Sequence, residues 1–326
     1  MNLLTGKRVL VTGGAGFIGS SICHDLLERG NQVVCLDNFA TGKRENIKDL
    51  KGNPGFKLIE GDIRDPETCH KAVKGVDVVL HQAALGSVPR SIADPATTNA
   101  VNINGFLNML IATRDAGIKR FVYASSSSVY GDSPELPKVE ERTGKVLSPY
   151  AITKLVNEEY ARVFGNLYGM ETIGLRYFNV FGRRQDPNGP YAAVIPKFTM
   201  AFMKYNSPVI NGDGSNSRDF TYIDNVVMAN NLAATVENPA AINQAYNVAC
   251  GDSVNLNEMT SMLRGYLAEK DPKIADVNPL HGPNRAGDIP HSMASIGKAV
   301  RLLGYKPMVR FSEGLKRAVE WYVDNL

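Results

Sequence analysis

The run Val9-Leu10-Val11-Thr12-Gly13-Gly14-Ala15-Gly16-Phe17-Ile18-Gly19 places an apolar segment of strand length, a glycine turn and the start of an amphipathic segment in direct succession. That order predicts a strand, a tight turn and a helix over Phe17 to Glu28, the opening unit of a parallel α/β fold. The spacing is GxxGxxG rather than GxGxxG. Gly13 permits the sharp turn, Gly16 lets bare backbone approach a ligand, and Gly19 lets the helix pack closely on the strand. The first amides of such a helix have no partners within it. Together with the helix dipole they hold negative charge without a basic side chain, as a dinucleotide pyrophosphate requires.

The next apolar run, Gln32-Val33-Val34-Cys35-Leu36, ends in Asp37, about 20 residues past the glycines, where a carboxylate would accept the adenosine ribose hydroxyls. An acid here favours NAD, because a 2′-phosphate would be repelled. Lys43 and Arg44 follow closely enough to keep NADP as the alternative. A third run, Phe56 to Glu60, leads into Gly61-Asp62-Ile63-Arg64. Asp62 is placed to accept a hydrogen bond from the adenine amine, or to serve simply as a turn residue.

A chain of 326 residues can bury a large core and form two lobes. Its 36 basic and 33 acidic residues leave a net charge of +3, too balanced for a nucleic-acid footprint. Cys23, Cys35, Cys69 and Cys250 form no CxxC pair and read as buried thiols. The histidines show no metal-ligand spacing, so no metal site is expected. The apolar residues of Met1 to Ser20 are consumed by the first strand, and the glycine turn is no cleavage site, which argues against a signal peptide. No run reaches membrane-spanning length. A cytoplasmic protein without membrane or nucleic-acid partners is the expectation.

Strand-length apolar runs near 7–12, 32–37, 56–60, 76–81, 118–125 and 171–178 alternate with segments of helical period, which predicts a doubly wound parallel Rossmann sheet. Crossover helices are expected to start near Phe17, Lys43, Pro66, Pro95 and Pro149. Past Asn179 proline and glycine become frequent, and helices near 192–205, 223–236 and 255–268 are joined by short runs. Residues 1–178 are read as the dinucleotide domain and 179–326 as a smaller α/β lobe capping the carboxyl ends of the strands. The run Gln244 to Ala249 has the character of a strand returning to the main sheet, so segments near 220–250 are expected to interleave with the first domain.

Ser148-Pro149-Tyr150-Ala151-Ile152-Thr153-Lys154 reads as a helix start with Ser148 as cap. Tyr150 and Lys154, four apart, share one face. A tyrosine of pKa ~10 serves as a base near neutrality only beside a cation, and a shift of about 3 units corresponds to roughly 4 kcal/mol. Chance supplies such pairs readily, and a second one, Tyr266 with Lys270, is read as a surface coincidence. Context separates them. Tyr150 alone follows a strand that ends in a hydroxyl cluster, Ser125-Ser126-Ser127-Ser128, at the sheet edge where catalytic groups belong.

The glycine turn, Asp37-Asn38, Gly61-Asp62, His81-Gln82-Ala83-Ala84, the serine cluster, SPYAITK and Leu175-Arg176-Tyr177-Phe178-Asn179 occur in order. Across essentially the whole chain this resembles the extended short-chain dehydrogenase/reductases, specifically the UDP-hexose 4-epimerases. Ala84 to Ser91 and Arg183 to Gly189 resemble the bacterial UDP-N-acetylglucosamine 4-epimerases of surface-polysaccharide synthesis. The resemblance implies a reversible inversion. Tyr150 as phenolate removes the sugar 4-OH proton, through or beside Ser126, while C4 passes hydride to NAD, and the 4-keto sugar turns over before hydride returns. It assigns catalysis to Ser126, Tyr150 and Lys154. It implies a tightly bound NAD held by Gly13, Gly16, Phe17, Ile18, Gly19, Asp37, Asn38, Asp62, Ile63, Ala83, Ala84, Asn102, Tyr150, Lys154 and Tyr177.

For a UDP-sugar the same resemblance assigns Ser87, Ser126, Ser127, Tyr150, Asn179, Gln185, Val194, Asn211, Arg218, Arg285, Asp288 and Ser292. Arginines suit a diphosphate because guanidinium is planar, charged and bidentate. Arg218, next to Asp219, has a surface ion pair as its plainer reading. Glucose-restricted members of the family carry a bulky aromatic at the place of Ser292, so serine leaves room for a 2-N-acetyl group, with Gln185, Asn188 and Ser87 as polar neighbours. A UDP-uronic acid 4-epimerase is the close alternative. A sugar-nucleotide 4,6-dehydratase would want an acidic pair after the strand, where this chain has serines and Val129. A non-catalytic NAD sensor would typically lack the tyrosine or the lysine. The helices expected over Thr97 to Ala116 and Tyr150 to Tyr168 resemble the pair that builds an intersubunit four-helix bundle, which implies a homodimer.

Overall fold

A computed structural model describes residues 3–188, 192–284 and 290–326. The first strand, β1 (Arg8–Thr12), runs into the glycine turn and the helix Phe17–Glu28. It is followed by β2 (Gln32–Asp37), β3 (Phe56–Glu60), β4 (Val78–His81), β5 (Arg120–Ser126) and β6 (Glu171–Tyr177). The strand Gln244–Val248 completes a seven-stranded sheet. Its order is Gln244–Val248, β6, β5, β4, β1, β2, β3, and every pairing is parallel. Val9, Leu10 and Val11 are wholly buried on both faces of the sheet, which is why these strands read as continuous apolar runs rather than alternating ones.

The order reverses at β1, between β4 and β2, and ligands of such sheets enter at this switch point. Gln244–Val248 pairs with β6 from Gln244 opposite Ile173 to Val248 opposite Tyr177. The helix Ile223–Thr235 packs against the helix Phe17–Glu28, so the chain past 179 adds a strand to the main sheet and a helix to one of its faces. Among the described residues no helix is long and apolar enough to cross a membrane.

Two expectations need correction in detail. The segment after Lys43 forms a 3-10 helix, Arg44–Leu50, rather than an α-helix. The helix expected over Thr97 to Ala116 is built from three pieces, Pro95–Asn99, a π-turn at Ala100–Gly105 and Phe106–Asp115, and a short helix Val88–Ala93 precedes them. Gly105, at the end of the π-turn, lets the helix approach Ile63 closely, since a Cβ there would stand 2.6 Å from that side chain. All four cysteines are free and buried.

Candidate active site

At the carboxyl edge of the sheet a cavity of about 460 Å³ opens between the glycine turn, β2, β4 and the start of the helix Pro149–Tyr168. Every residue assigned to the cofactor by resemblance lines it, with the exception of Asn102. The glycine turn is shaped as a cradle. A Cβ at Gly13 would stand 2.8 Å from the Ala83 backbone, and one at Gly19 would stand 2.1 Å from the Gly13 carbonyl oxygen. Only bare backbone fits there. The helix begins at Phe17 without any side-chain cap, which leaves its first amides for an anion.

Asp37 is buried, and its carboxylate does two things. One oxygen accepts the Ala15 amide at 2.9 Å and the other accepts the Phe39 amide at 2.8 Å, so the acid braces the glycine turn while facing the cavity. Burial raises its pKa against the pull of these amides. Asp62 is held by the Arg64 guanidinium at 2.7 Å and the Asn38 amide at 2.8 Å. The Arg64 hydrogen bonds lead in drawing its pKa down to about 2, so it is a carboxylate at neutral pH. Lys43 pairs with Asp186 and Arg44 with Glu60.

Asn102 stands behind this wall. Its side chain accepts the Leu85 amide at 2.8 Å, donates to the Leu85 carbonyl at 3.1 Å and donates to Thr153 at 3.1 Å. It therefore clamps the loop after β4 to the catalytic helix. Tyr177 donates to Gln82 at 3.0 Å and accepts from Asn230 at 2.9 Å, while Gln82 donates to Asn230 at 3.0 Å. This triangle fixes the cavity floor, and no local motif announces it, because Asn230 lies 148 residues beyond Gln82.

The helix Pro149–Tyr168 starts as its sequence dictates, with the Ser148 hydroxyl accepting the Ala151 amide at 3.1 Å and Pro149 in the first turn. Tyr150 is half-buried on the cavity wall and hydrogen-bonds Ser126. Ser126 caps the 3-10 turn Ser127–Tyr130 by accepting the Ser128 amide at 3.1 Å, which holds its hydroxyl oxygen in place. Burial raises the Tyr150 pKa, and the Ser126 bond opposes this. Lys154 is buried, donates to the Ala124 carbonyl at 2.8 Å and sits 5.9 Å from the centre of the Tyr150 ring. A cation on the same face of the helix favours the phenolate over the phenol. Burial brings the ammonium itself down to about 8. Tyr266, of the second Tyr-x-x-x-Lys match, lies on the helix Leu256–Ala268 and instead bonds Ser312 on the helix Phe311–Asn325.

The residues assigned to the sugar nucleotide divide. Ser87, Val194 and Asn211 line a second cavity of about 620 Å³ with Lys197 and Asn284. Ser127 begins the 3-10 turn beside Ser126. Asn179 has a positive φ of 34° and donates to the Asp219 carbonyl at 3.0 Å. Gln185 donates to the Val180 carbonyl at 3.1 Å, and Asn188 closes a turn on Asp186, so that loop is tied to Lys43 rather than to the second cavity. Arg218 and Ser292 sit opposite each other in parallel strands. Arg218 donates to the carbonyls of Ser217 and Pro290. The Asp219 carboxylate accepts the amides of Cys250, Gly251, Asp252 and Ala294. Arg285 and Asp288 lie outside the described residues.

Comparison with known proteins agrees with this geometry. Residues 9–249 match the model of the NAD dependent epimerase/dehydratase family. The UDP-glucose 4-epimerase of Mycolicibacterium smegmatis is 35% identical over 317 residues, covering 97% of this chain and 98% of that protein. The UDP-N-acetylglucosamine 4-epimerase of Methanobrevibacter ruminantium M1, solved with UDP-N-acetylmuramic acid, is 39% identical with a TM-score of 0.92, covering 99% of this chain and 100% of the other. The UDP-glucuronic acid 4-epimerase of Bacillus cereus, solved with UDP-glucuronic acid and NAD, is 30% identical with a TM-score of 0.88, covering 98% and 100%. With a glycine cradle, an acid at the end of β2 and a Tyr-Lys pair beside a serine on one cavity, the chain belongs to the NAD dependent epimerase/dehydratase family, whose cofactor is NAD.

Proposed function

We propose that this protein inverts C4 of a UDP-sugar, interconverting UDP-N-acetylglucosamine and UDP-N-acetylgalactosamine and acting also on the plain UDP-hexoses. The observation that carries this reading is Tyr150, bonded to Ser126 and flanked by Lys154, on the wall of the dinucleotide cavity. NAD, when bound, would supply a hydride acceptor and donor for the sugar carbon and the positive charge of its oxidised ring. Lys154 holds the phenolate charge, and Ser126 donates to it. Tyr150 takes the proton of the sugar 4-OH as its carbon becomes a ketone, and gives it back when the rotated sugar is reduced on its other face. No net oxidation results, and tight retention of the cofactor keeps the ketone from being stranded.

The turn Ser127–Tyr130 carries no carboxylic acid, so a 4,6-elimination lacks its acid and base. The presence of both Tyr150 and Lys154 argues against a non-catalytic sensor. The cavity of Ser87, Val194, Asn211 and Lys197 is the site we assign to the nucleotide sugar, with Lys197 as its cation for the diphosphate. Ser292 is small and pairs with Arg218, and we assign to it, by the family resemblance, the place where an N-acetyl group is accommodated. The exposed stripe Ile152, Val163 and Leu167 on the helix Pro149–Tyr168 is the face through which we expect two copies to pair.

Incubating purified protein with UDP-N-acetylglucosamine, UDP-glucose and their uronic acids, without added cofactor, and identifying products by NMR tests the reading. Conversion of the acetylated sugar to its C4 epimer supports it. Conversion of the uronic acids alone replaces it with the uronate reading, and absence of any epimer overturns it.

A further inference from the structure

Three consecutive residues of β5 are bonded to three successive turns of the helix Pro149–Tyr168. Ser126 bonds Tyr150, the Ala124 carbonyl accepts Lys154, and Ser125 donates to Glu158 at 2.6 Å. Tyr150, Lys154 and Glu158 are spaced i, i+4 and i+8 and therefore share a face. In the third rung Ser125 lines the dinucleotide cavity, whereas Glu158 lines neither cavity of the proposed site.

Glu158 is nonetheless elaborately held. Its two oxygens accept Arg176 Nε at 2.9 Å and Nη2 at 2.7 Å, and both side chains are about nine-tenths buried, with relative exposures of 6% for Arg176 and 10% for Glu158. Arg176, on β6, is fixed further by the Glu140 carbonyl at 3.0 Å and the Tyr130 hydroxyl at 3.1 Å. Tyr130 in turn donates to Asn247 at 2.7 Å, on the seventh strand. A buried bidentate pair is rigid, because neither partner can rotate without stranding a charge.

We propose that Glu158 is a positioning residue for the reaction: locked by Arg176, it pins the middle of the catalytic helix to Ser125 and so sets the height of Tyr150 against Ser126 and of Lys154 against Ala124. This rests on the 4-epimerase reading above. A proton transfer tolerates little error in donor–acceptor distance, and displacement of about 1 Å in such a constellation costs roughly a hundredfold in rate. The carboxylate also faces Lys154 one turn away and supports its positive charge against burial. The other charged or titratable groups around Glu158 are Tyr123 on β5, Arg176 on β6, Tyr130 and Glu140 after β5, Lys298 on the helix Gly297–Leu303, and Glu159 and Arg162 on its own helix. His81 on β4 faces Lys154 and is kept neutral by burial, with its pKa near 3.

The test compares the holoenzyme with Glu158→Gln, Ser125→Ala and Tyr150→Phe, measuring NAD content, kcat, KM and the pH profile from 6 to 10. Glu158→Gln is expected to lower kcat about tenfold or more with KM within about twofold, and to move the alkaline limb down by about one pH unit, since Lys154 then loses its proton sooner. Ser125→Ala keeps the Arg176 pair and is expected to lower kcat about three- to tenfold with the limb in place. A purely structural role would reduce the yield of folded protein while leaving kcat per bound NAD and the limb unchanged, and that result overturns the proposal. Should Glu158→Gln fail to fold, an unaltered kcat in Ser125→Ala overturns it equally. Loss of turnover in Tyr150→Phe beside a normal Glu158→Gln sinks this inference alone. Full turnover in Tyr150→Phe sinks the reading on which it rests as well.

Discussion

The Lys154 ammonium donates to the Ala124 carbonyl at 2.8 Å, two residues before the serine that bonds Tyr150. One strand end thereby holds both residues that the proposed mechanism uses as base and cation. Because burial lowers the Lys154 pKa to about 8, the ammonium is present below that pH and is lost as pH rises through it. The rate of epimerisation is therefore expected to decline above about pH 8. In Lys154→Met that alkaline limb should vanish and kcat should fall about a hundredfold, as a pH series of kcat would reveal.

Asp37 braces Ala15 and Phe39 and faces the dinucleotide cavity. Asp37→Ala removes an acceptor from two amides and, on the proposed assignment, from a ribose, at about 1–3 kcal/mol. NAD binding should weaken about ten- to a hundredfold. Quantifying NAD carried through purification checks this, and undiminished NAD content would remove Asp37 from the cofactor site.

Much of this was legible before any coordinates. The strand runs, the glycine cradle, Asp37 and the Ser148 cap are local signals, written within a few residues of where they act. The Gln82, Tyr177 and Asn230 triangle was not, since its members come from three distant segments and glutamine, tyrosine and asparagine carry no spacing rule. Asn102, assigned to the cofactor by resemblance, clamps Leu85 to Thr153 behind the cavity wall, a tie between segments 17 and 51 residues away that no local spacing announces. The need for a glycine at 105 was hidden for a similar reason: it comes from Ile63 lying over it.

Ser292 lies beside Arg218 in the sheet of the second lobe. Introducing bulk there, Ser292→Tyr, is expected to cut kcat/KM for UDP-N-acetylglucosamine about a hundredfold while UDP-glucose changes less than about threefold. Competition assays with both sugars read the ratio directly. Equal losses on the two would refute the gate.

The stripe Ile152, Val163 and Leu167 has relative exposures of 49%, 36% and 68%. A charge placed in its centre should disfavour pairing of two such faces. Val163→Glu is expected to shift the sedimenting species from dimer to monomer, and a wild-type protein that sediments as a monomer at micromolar concentration would exclude the bundle.

The most direct measurement is turnover of UDP-N-acetylglucosamine by Tyr150→Phe with its NAD content checked. Removing the hydroxyl leaves the ring, the Lys154 pocket and the cofactor cavity in place, so only proton transfer is lost. The expected result is full NAD occupancy with epimerisation reduced about a thousandfold, roughly 4 kcal/mol in the barrier. Turnover within a few fold of wild type would contradict the assignment of Tyr150 as the base.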